Sequence, residues 1–251
     1  MTPARILIIA GSDSGGGAGI QADLKTVTLL GGFAMTAITA ITAQNTLGVQ
    51  GVHPIPTDMV LAQMESCISD IGVDAVKIGM IGSAQTAIAV AERLAGLDGV
   101  TIVFDPVMVA TSGSLLADAD TIAAFHKLMA IATVVTPNIP ELVALGGEAI
   151  AAQFGTHVLA KGGHGEGAML TDRLIGPHGV TNSWSDARID TPHTHGTGCT
   201  MASAIATGLG QGMALPDAIT QARDYVRAAL RLAPGFGGGH GPMGAPFTFH
   251  A

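Results

Sequence analysis

Short apolar runs alternate with helical patterns along the whole chain, and nothing else in it narrows the fold so far. Residues 6–10, 75–78, 101–104, 133–135 and 158–160 read as buried strands. Between them lie helical stretches such as 57–69, where Val60, Met64, Cys67, Ile68 and Ile71 share one face. Leu215-Pro216 opens a last helix with proline in its first turn, and Ala218, Ile219, Ala222, Tyr225, Val226, Ala229 and Leu230 line its apolar side. Such alternation closes into right-handed βαβ units. The expectation is an α/β fold in three layers, a mostly parallel central sheet with helices on both faces. At 251 residues, without internal repeat or linker, the chain is read as one domain over 1–251. Residues 36–52 are expected to form short extra strands outside the main sheet, and the glycine-rich tail 234–242 to strap across the surface. Cys67 and most of the 11 methionines are read as core filling.

Composition limits the chemistry. The chain is 48% hydrophobic with a mean hydropathy of +0.47, yet no apolar run approaches the roughly 20 residues a spanning helix requires. No signal-peptide pattern precedes the first strand, and two distant cysteines suggest a reducing compartment, so a cytoplasmic protein is expected. A formal charge of −8 argues against nucleic acid, which needs clustered Lys and Arg. With only 11 basic residues, several of them on helices, a polyphosphate has to be held by backbone amides, a divalent cation and one or two lysines.

Two glycine turns meet that requirement. His193-Thr194-His195-Gly196-Thr197-Gly198-Cys199-Thr200 precedes a helical pattern over 201–209. Amides at such a helix start, with the positive end of the helix dipole, favour an anion, and a thiol stands beside them. At the other end of the chain, Gly11-Ser12-Asp13-Ser14-Gly15-Gly16-Gly17-Ala18-Gly19 joins the first strand to a helical pattern over 20–30. Strand, glycine turn and helix is where open α/β sheets bind ligands. A phosphate-binding Walker loop is excluded, because no Gly-Lys-Ser/Thr tripeptide occurs. Gly17-Ala18-Gly19-Ile20-Gln21-Ala22 fits a dinucleotide pattern, but no acid stands between Lys25 and Asp58 to take the ribose, and the NAD reading fails.

These turns occur in one order with Thr42-Ala43-Gln44-Asn45-Thr46, Lys77-Ile78-Gly79-Met80, Asp105-Pro106-Val107-Met108, Thr136-Pro137-Asn138-Ile139-Pro140-Glu141 and Lys161-Gly162-Gly163-His164. Together they resemble the hydroxymethylpyrimidine/phosphomethylpyrimidine kinases of thiamine synthesis, within the ribokinase-like superfamily, over almost the whole chain. The resemblance implies a ribokinase-like fold, ATP and Mg²⁺, a small-molecule acceptor, a homodimer, and no membrane or nucleic-acid partner.

It also implies roles. Cys199 stands where ribokinase-like enzymes carry an aspartate base, and a thiol in a helix's first turn is expected to have a lowered pKa; a small buried thiol is the plain alternative. Gly196, Thr197, Gly198 and Cys199 offer amides to the γ-phosphoryl oxygens. Asn138 and Glu141 form the Asn-x-x-Glu pattern that positions Mg²⁺, although Glu141 equally suits an ordinary helix start. Asp105 closes a strand at its carboxyl end and is a second metal or phosphate-side candidate. Lys161, before two glycines, contacts ATP phosphate or simply reaches solvent. For the acceptor the resemblance carries over Asp23 and Gln44 as polar anchors, with Gly11, Ala18, Met80, Val107 and Cys199 around them. One glutamine amide complements the ring nitrogen and amine of an aminopyrimidine. His193 and His195 are read as shape-setting or nucleotide-side residues, and His164, His240 and His250 receive no role. Only residues 142–159 separate the Asn-x-x-Glu motif from the Lys-Gly-Gly strand, so a helix there is expected to be shortened or lost.

The expected reaction is ATP-dependent phosphorylation of 4-amino-5-hydroxymethyl-2-methylpyrimidine and then of its monophosphate. A pyridoxal kinase of the same superfamily, whose substrate is also a hydroxymethyl on a flat ring, is the nearest alternative. A non-catalytic vitamin-binding protein on this fold is the alternative from another class.

Overall fold

The computed structural model describes residues 2–110, 113–164 and 167–246, so His250 lies outside the described residues. Strand β1 (Arg5–Asp13) runs through the middle of a nine-stranded sheet. It pairs in parallel with β2 (Phe33–Asn45) on one side and β4 (Ala75–Ile78) on the other. Parallel pairing continues through β5 (Thr101–Phe104), β6 (Val134–Val135) and β7 (His157–Ala160). Three antiparallel strands complete the edges: β3 (Gly48–Pro54) beside β2, and the hairpin β8 (Met169–Gly176) and β9 (Gly179–Ala187) beyond β7.

A strand buried on both faces has to be apolar along its length. Ile6, Leu7, Ile8 and Ile9 of β1 are fully buried, and alternate residues feed two cores. Leu7 and Ile9 join the core under α2 (Thr57–Asp70), α3 (Ala84–Leu94), α4 (Ala119–Met129), α5 (Ile139–Ala144) and α6 (Ile150–Phe154). Ile6 and Ile8 join the core under α1 (Gly19–Leu29), α7 (Thr197–Gly210) and α8 (Leu215–Arg231). The expected three-layer αβα sandwich is thus present. No helix of the described residues is long and apolar enough to cross a membrane.

Several expectations need correction. Residues 36–52 do not form extra strands outside the main sheet. Their threonine- and isoleucine-rich run is strand β2, the parallel neighbour of β1, with β3 as the edge. Strand β1 continues through Gly11, Ser12 and Asp13, so the first glycine turn begins only after Asp13. Ile71 caps α2 and is exposed, while Val60 and Met64 are buried and Cys67 and Ile68 pack partly against the core. The hairpin β8–β9 was not anticipated. Arg223 of α8 fastens it by ion pairs to Asp172 and Asp186. Residues 142–159 hold the end of α5, a short 3-10 turn over Gly147–Ala149, and α6; α5 and α6 have six and five residues.

Candidate active site

The chemistry-bearing residues collect at the carboxyl ends of the parallel strands. Asp13 ends β1, Gln44 lies at the end of β2, Met80 follows β4, Asp105 and Val107 follow β5, and Lys161 follows β7. Strand order reverses at β1, which makes this edge a crevice. Across it the two glycine turns meet. Gly196 has φ +86°, and a Cβ there would fall on the carbonyl oxygen of Gly17. Only glycine combines that backbone conformation with that approach.

The first turn is not a phosphate cradle, contrary to the expectation. Asp13 already accepts hydrogen bonds from the amides of Gly15 (2.8 Å), Gly17 (3.1 Å) and Ala18 (2.8 Å). His195 Nε2 lies 2.9 Å from the same carboxylate. Burial pushes the Asp13 carboxyl up, but His195 and the amides outweigh it, and its pKa is lowered. An internal anion therefore occupies the place proposed for a phosphate.

The second turn has no side-chain acceptor, although its Thr197 amide donates to the Thr194 carbonyl at 3.3 Å. Helix α7 begins from Gly196 in the left-handed region with no side-chain cap, whereas Ser83 and Asp118 cap α3 and α4. First-turn amides have no acceptor inside their own helix. A Cβ on Gly198 would lie 3.3 Å from both Asp105 Oδ2 and Lys161 Nζ, so this turn passes directly over those side chains. Lys161 Nζ donates to Asp105 Oδ1 at 2.9 Å, and Thr136 Oγ1 donates to the same oxygen at 2.9 Å. Burial opposes the Lys161 charge, but Asp105 and Glu141 outweigh it, and the ammonium is retained.

Asn138 and Glu141 sit beside this group, with Asn138 bridged to Lys161. They form a reciprocal capping box: Glu141 N donates to Asn138 Oδ1 at 2.8 Å, and Asn138 N donates to Glu141 Oε2 at 2.9 Å. The side-chain oxygen of Asn138 thus accepts from the helix start. Glu141 is 8% exposed, and its pKa is pushed up to about 7 by burial, with Lys161 pulling it down and Asp105 pushing it up. Among the described residues no group of three or more His, Cys, Asp or Glu is arranged to enclose a metal.

Cys199 departs from the expectation. It is half-buried in the first turn of α7, yet its thiol is pushed up to about 11. Burial is the largest cause; Lys77 opposes it, Asp23 and Asp105 add to it, and the Gly19 amide opposes it. The thiol is therefore neutral near pH 7. Asp23 is corrected as well. It is 0% exposed, accepting from Lys77 Nζ at 2.8 Å and from Ser203 Oγ at 2.7 Å, so both oxygens are engaged inside the protein. Ser203 lies one turn along α7 from Cys199, on the same face. Lys77 was not singled out from the sequence. Its position inside the apolar run Ala75-Val76-Lys77-Ile78 was the available signal, because a lysine in a doubly covered strand requires an acid partner.

On the acceptor side, Gly11 and Met80 touch: a Cβ on Gly11 would lie 2.6 Å from Met80 Cε. Ala18 is the N-cap of α1, and Val107 is half-buried two residues beyond Asp105. His195 stands beside Gln44, with 3.3 Å between its Nε2 and the Gln44 carboxamide. His193 packs under the tail against Gly241, and its buried Nδ1 has no hydrogen-bond partner among the described residues. The tail does strap across the surface. Gly239 and His240 donate to Thr46, and Pro242 bridges His195. Thr46, His195, Gly237, Gly238 and Pro242, with Gly15, Gly17 and Asn45, line a pocket of ≈ 380 Å³.

The mostly parallel αβα sheet thus carries a helix start without a side-chain cap over an Asp–Lys pair, across from Gln44 and His195. The family model described as phosphomethylpyrimidine kinase matches residues 13–244, and the chain belongs to that family. It is 46% identical to the thiamine biosynthesis bifunctional protein ThiED of Geobacter sulfurreducens, covering 95% of this chain but only 51% of that protein. It is 45% identical to the hydroxymethylpyrimidine/phosphomethylpyrimidine kinase of Streptomyces coelicolor, covering 97% of this chain and 94% of that one. Among solved structures, an ADP complex of Bacillus subtilis pyridoxal kinase superposes with a TM-score of 0.88 at 32% identity, covering 97% of this chain and 98% of that one.

Proposed function

We propose that this chain transfers the γ-phosphoryl group of ATP to the hydroxymethyl oxygen of 4-amino-5-hydroxymethyl-2-methylpyrimidine, and then to the resulting monophosphate. The observation that carries the reading is the start of α7, which has no side-chain cap and whose Gly198 passes over the Asp105–Lys161 pair. Amides of Thr197, Gly198 and Cys199 take the charge that spreads over the migrating group, and Lys161 supports the phosphates. Two buried carboxylates beside one lysine suit a hydrated Mg²⁺, which is held by one or two carboxylates plus phosphate oxygens. Glu141 and Asp105 would hold it, and the ion would supply charge neutralisation on the phosphates. Asn138 acts by fixing Glu141.

Cys199 orients the acceptor hydroxyl as a neutral thiol. A loose transition state asks little of a base, so positioning supplies most of the rate. Cys199→Ala is expected to lower kcat roughly tenfold to hundredfold, at or below the low end for acid–base residues, with KM for ATP unchanged. Steady-state kinetics check this, and an unaltered kcat removes Cys199 from the reaction. Gln44 anchors the ring edge. Gln44→Leu is expected to raise acceptor KM about tenfold or more, because an unpaired ring edge costs a hydrogen bond or two, while ATP KM stays within about twofold. Equal effects on both substrates count against that placement.

The deciding experiment measures ADP release with the pyrimidine alcohol, its monophosphate and pyridoxal in parallel. Pyridoxal phosphorylation is the second reading, favoured by the close superposition on a pyridoxal kinase. The higher identity to the Streptomyces coelicolor kinase supports the pyrimidine. No ADP release with any acceptor supports the vitamin-binding alternative. The net charge of −8 supports a role away from nucleic acid, and two distant cysteines support a reducing compartment such as the cytoplasm. The shared nine-stranded sheet supports one domain over 1–251; a homodimer rests on the family resemblance alone.

A further inference from the structure

The acceptor wall contains a hydrogen-bond puzzle that its own chemistry resolves. The Gln44 carboxamide nitrogen lies 3.3 Å from His195 Nε2, and its oxygen lies 3.2 Å from Thr42 Oγ1. Neither contact fits its neighbours. Asp13 is an ionised carboxylate filled with amide donors, so it only accepts, and His195 Nε2 at 2.9 Å must carry a hydrogen toward it. A nitrogen that already donates cannot accept from the Gln44 amino group. At the other end Thr42 Oγ1 has one hydrogen, and the Ser12 carbonyl at 2.9 Å is its closer acceptor. A lone pair of Thr42 is then left facing the Gln44 oxygen. A half-turn of the carboxamide, which leaves its shape unchanged, resolves both ends at once. Its oxygen then shares the His195 Nε2–H with Asp13, and its amino group donates to Thr42.

We infer that the Asp13–His195 pair acts as a specificity device: it fixes the Gln44 carboxamide with its oxygen on the His195 side and its N–H on the Thr42 side, and so sets the donor–acceptor order offered to the acceptor ring. His195 is a positioning residue here, 8% exposed and tied through Asp13 to the amides of the first glycine turn. The inference rests on Gln44 being the ring anchor, as proposed above. Its consequence is a chemical preference. An exocyclic amine on the His195 side donates to the Gln44 oxygen, and a ring nitrogen on the Thr42 side accepts from the N–H. A flat alcohol with a phenolate in the amine's place can only accept, and meets a lone pair.

The test compares His195→Phe, His195→Gln and Thr42→Val with the parent protein, measuring kcat and both KM values on the aminopyrimidine alcohol and on pyridoxal. His195→Phe is expected to raise the aminopyrimidine KM about tenfold, the worth of one hydrogen bond, with ATP KM unchanged. The preference for aminopyrimidine over pyridoxal should fall by a similar factor. His195→Gln, which keeps an N–H donor, should restore most of it. Thr42→Val keeps the shape but leaves the amino group unpaired, and should reduce the preference even if the phenylalanine variant does not fold. An unchanged preference in folded His195→Phe or in Thr42→Val overturns the inference, as does an equal loss of ATP and acceptor binding. Gln44→Leu separates the two failures: if it too leaves acceptor KM unchanged, the anchor reading fails; if it alone raises that KM, only the His195 inference fails.

Discussion

Lys77→Met is expected to lower the free energy of unfolding by about 3–5 kcal/mol, the cost of leaving one member of a buried ion pair without its partner. Methionine nearly matches the lysine stem, so little of the loss comes from a cavity. The loss comes from Asp23, which is 0% exposed and would keep only Ser203. Removing both charges tells the causes apart. Lys77→Met with Asp23→Asn should recover most of the lost stability, because a neutral, hydrogen-bonded replacement avoids the desolvated charge. Urea unfolding followed by circular dichroism measures both variants. If the double variant is as unstable as the single one, packing rather than charge holds this part of the molecule. Cys199 gives a second readout: Lys77 is the largest influence opposing burial of its thiol, so the single variant should alkylate more slowly at alkaline pH.

Gly196→Ala carries the second large effect, and it falls on catalysis. Two costs coincide at this position. A φ of +86° strains any residue with a Cβ, by about 1–3 kcal/mol. The added methyl would also strike the Gly17 carbonyl, which has no flexible end to move aside. The two turns must then separate, and displacement of reacting groups by about 1 Å can cost 10²-fold in rate. We expect kcat to fall by about 10²-fold or more, together with a lower Tm. Gly99→Ala is the control for strain alone, since its φ is +73° and a Cβ there meets nothing within 4 Å. If the two variants lose similar activity, the Gly17–Gly196 approach is not what sets the geometry of the site.

The sequence was most readable where spacing itself carries chemistry. The buried run of β1 and the second glycine turn each have a physical reason visible in a few residues and lie where they were expected, whereas the first turn starts only after Asp13. Side-chain pairing was harder to read. Asp13 lies only two to five residues from the amides it holds, and Asp-Ser-Gly is a turn signal in which the aspartate often bonds backbone nearby. That signal was present, but the glycines suggested an external anion instead. Lys77 and Asp23 lie 54 positions apart, and nothing local in either segment reveals the pair. The thiol shift has the same origin. A helix start argues for a lower pKa, while the burial that reverses it belongs to the tertiary structure. The hairpin β8–β9 is half-exposed, so its apolar signal is diluted; what anchors it is Arg223, far along the chain.

The meeting of the Gly17 and Gly196 turns has a consequence for how the protein is made. Nearly 180 residues separate the two backbone segments, and the tail that closes over them emerges from the ribosome later still. A nascent chain that stops just before α7 already holds every strand of the sheet together with Asp105 and Glu141, yet lacks the helix start that completes the proposed site.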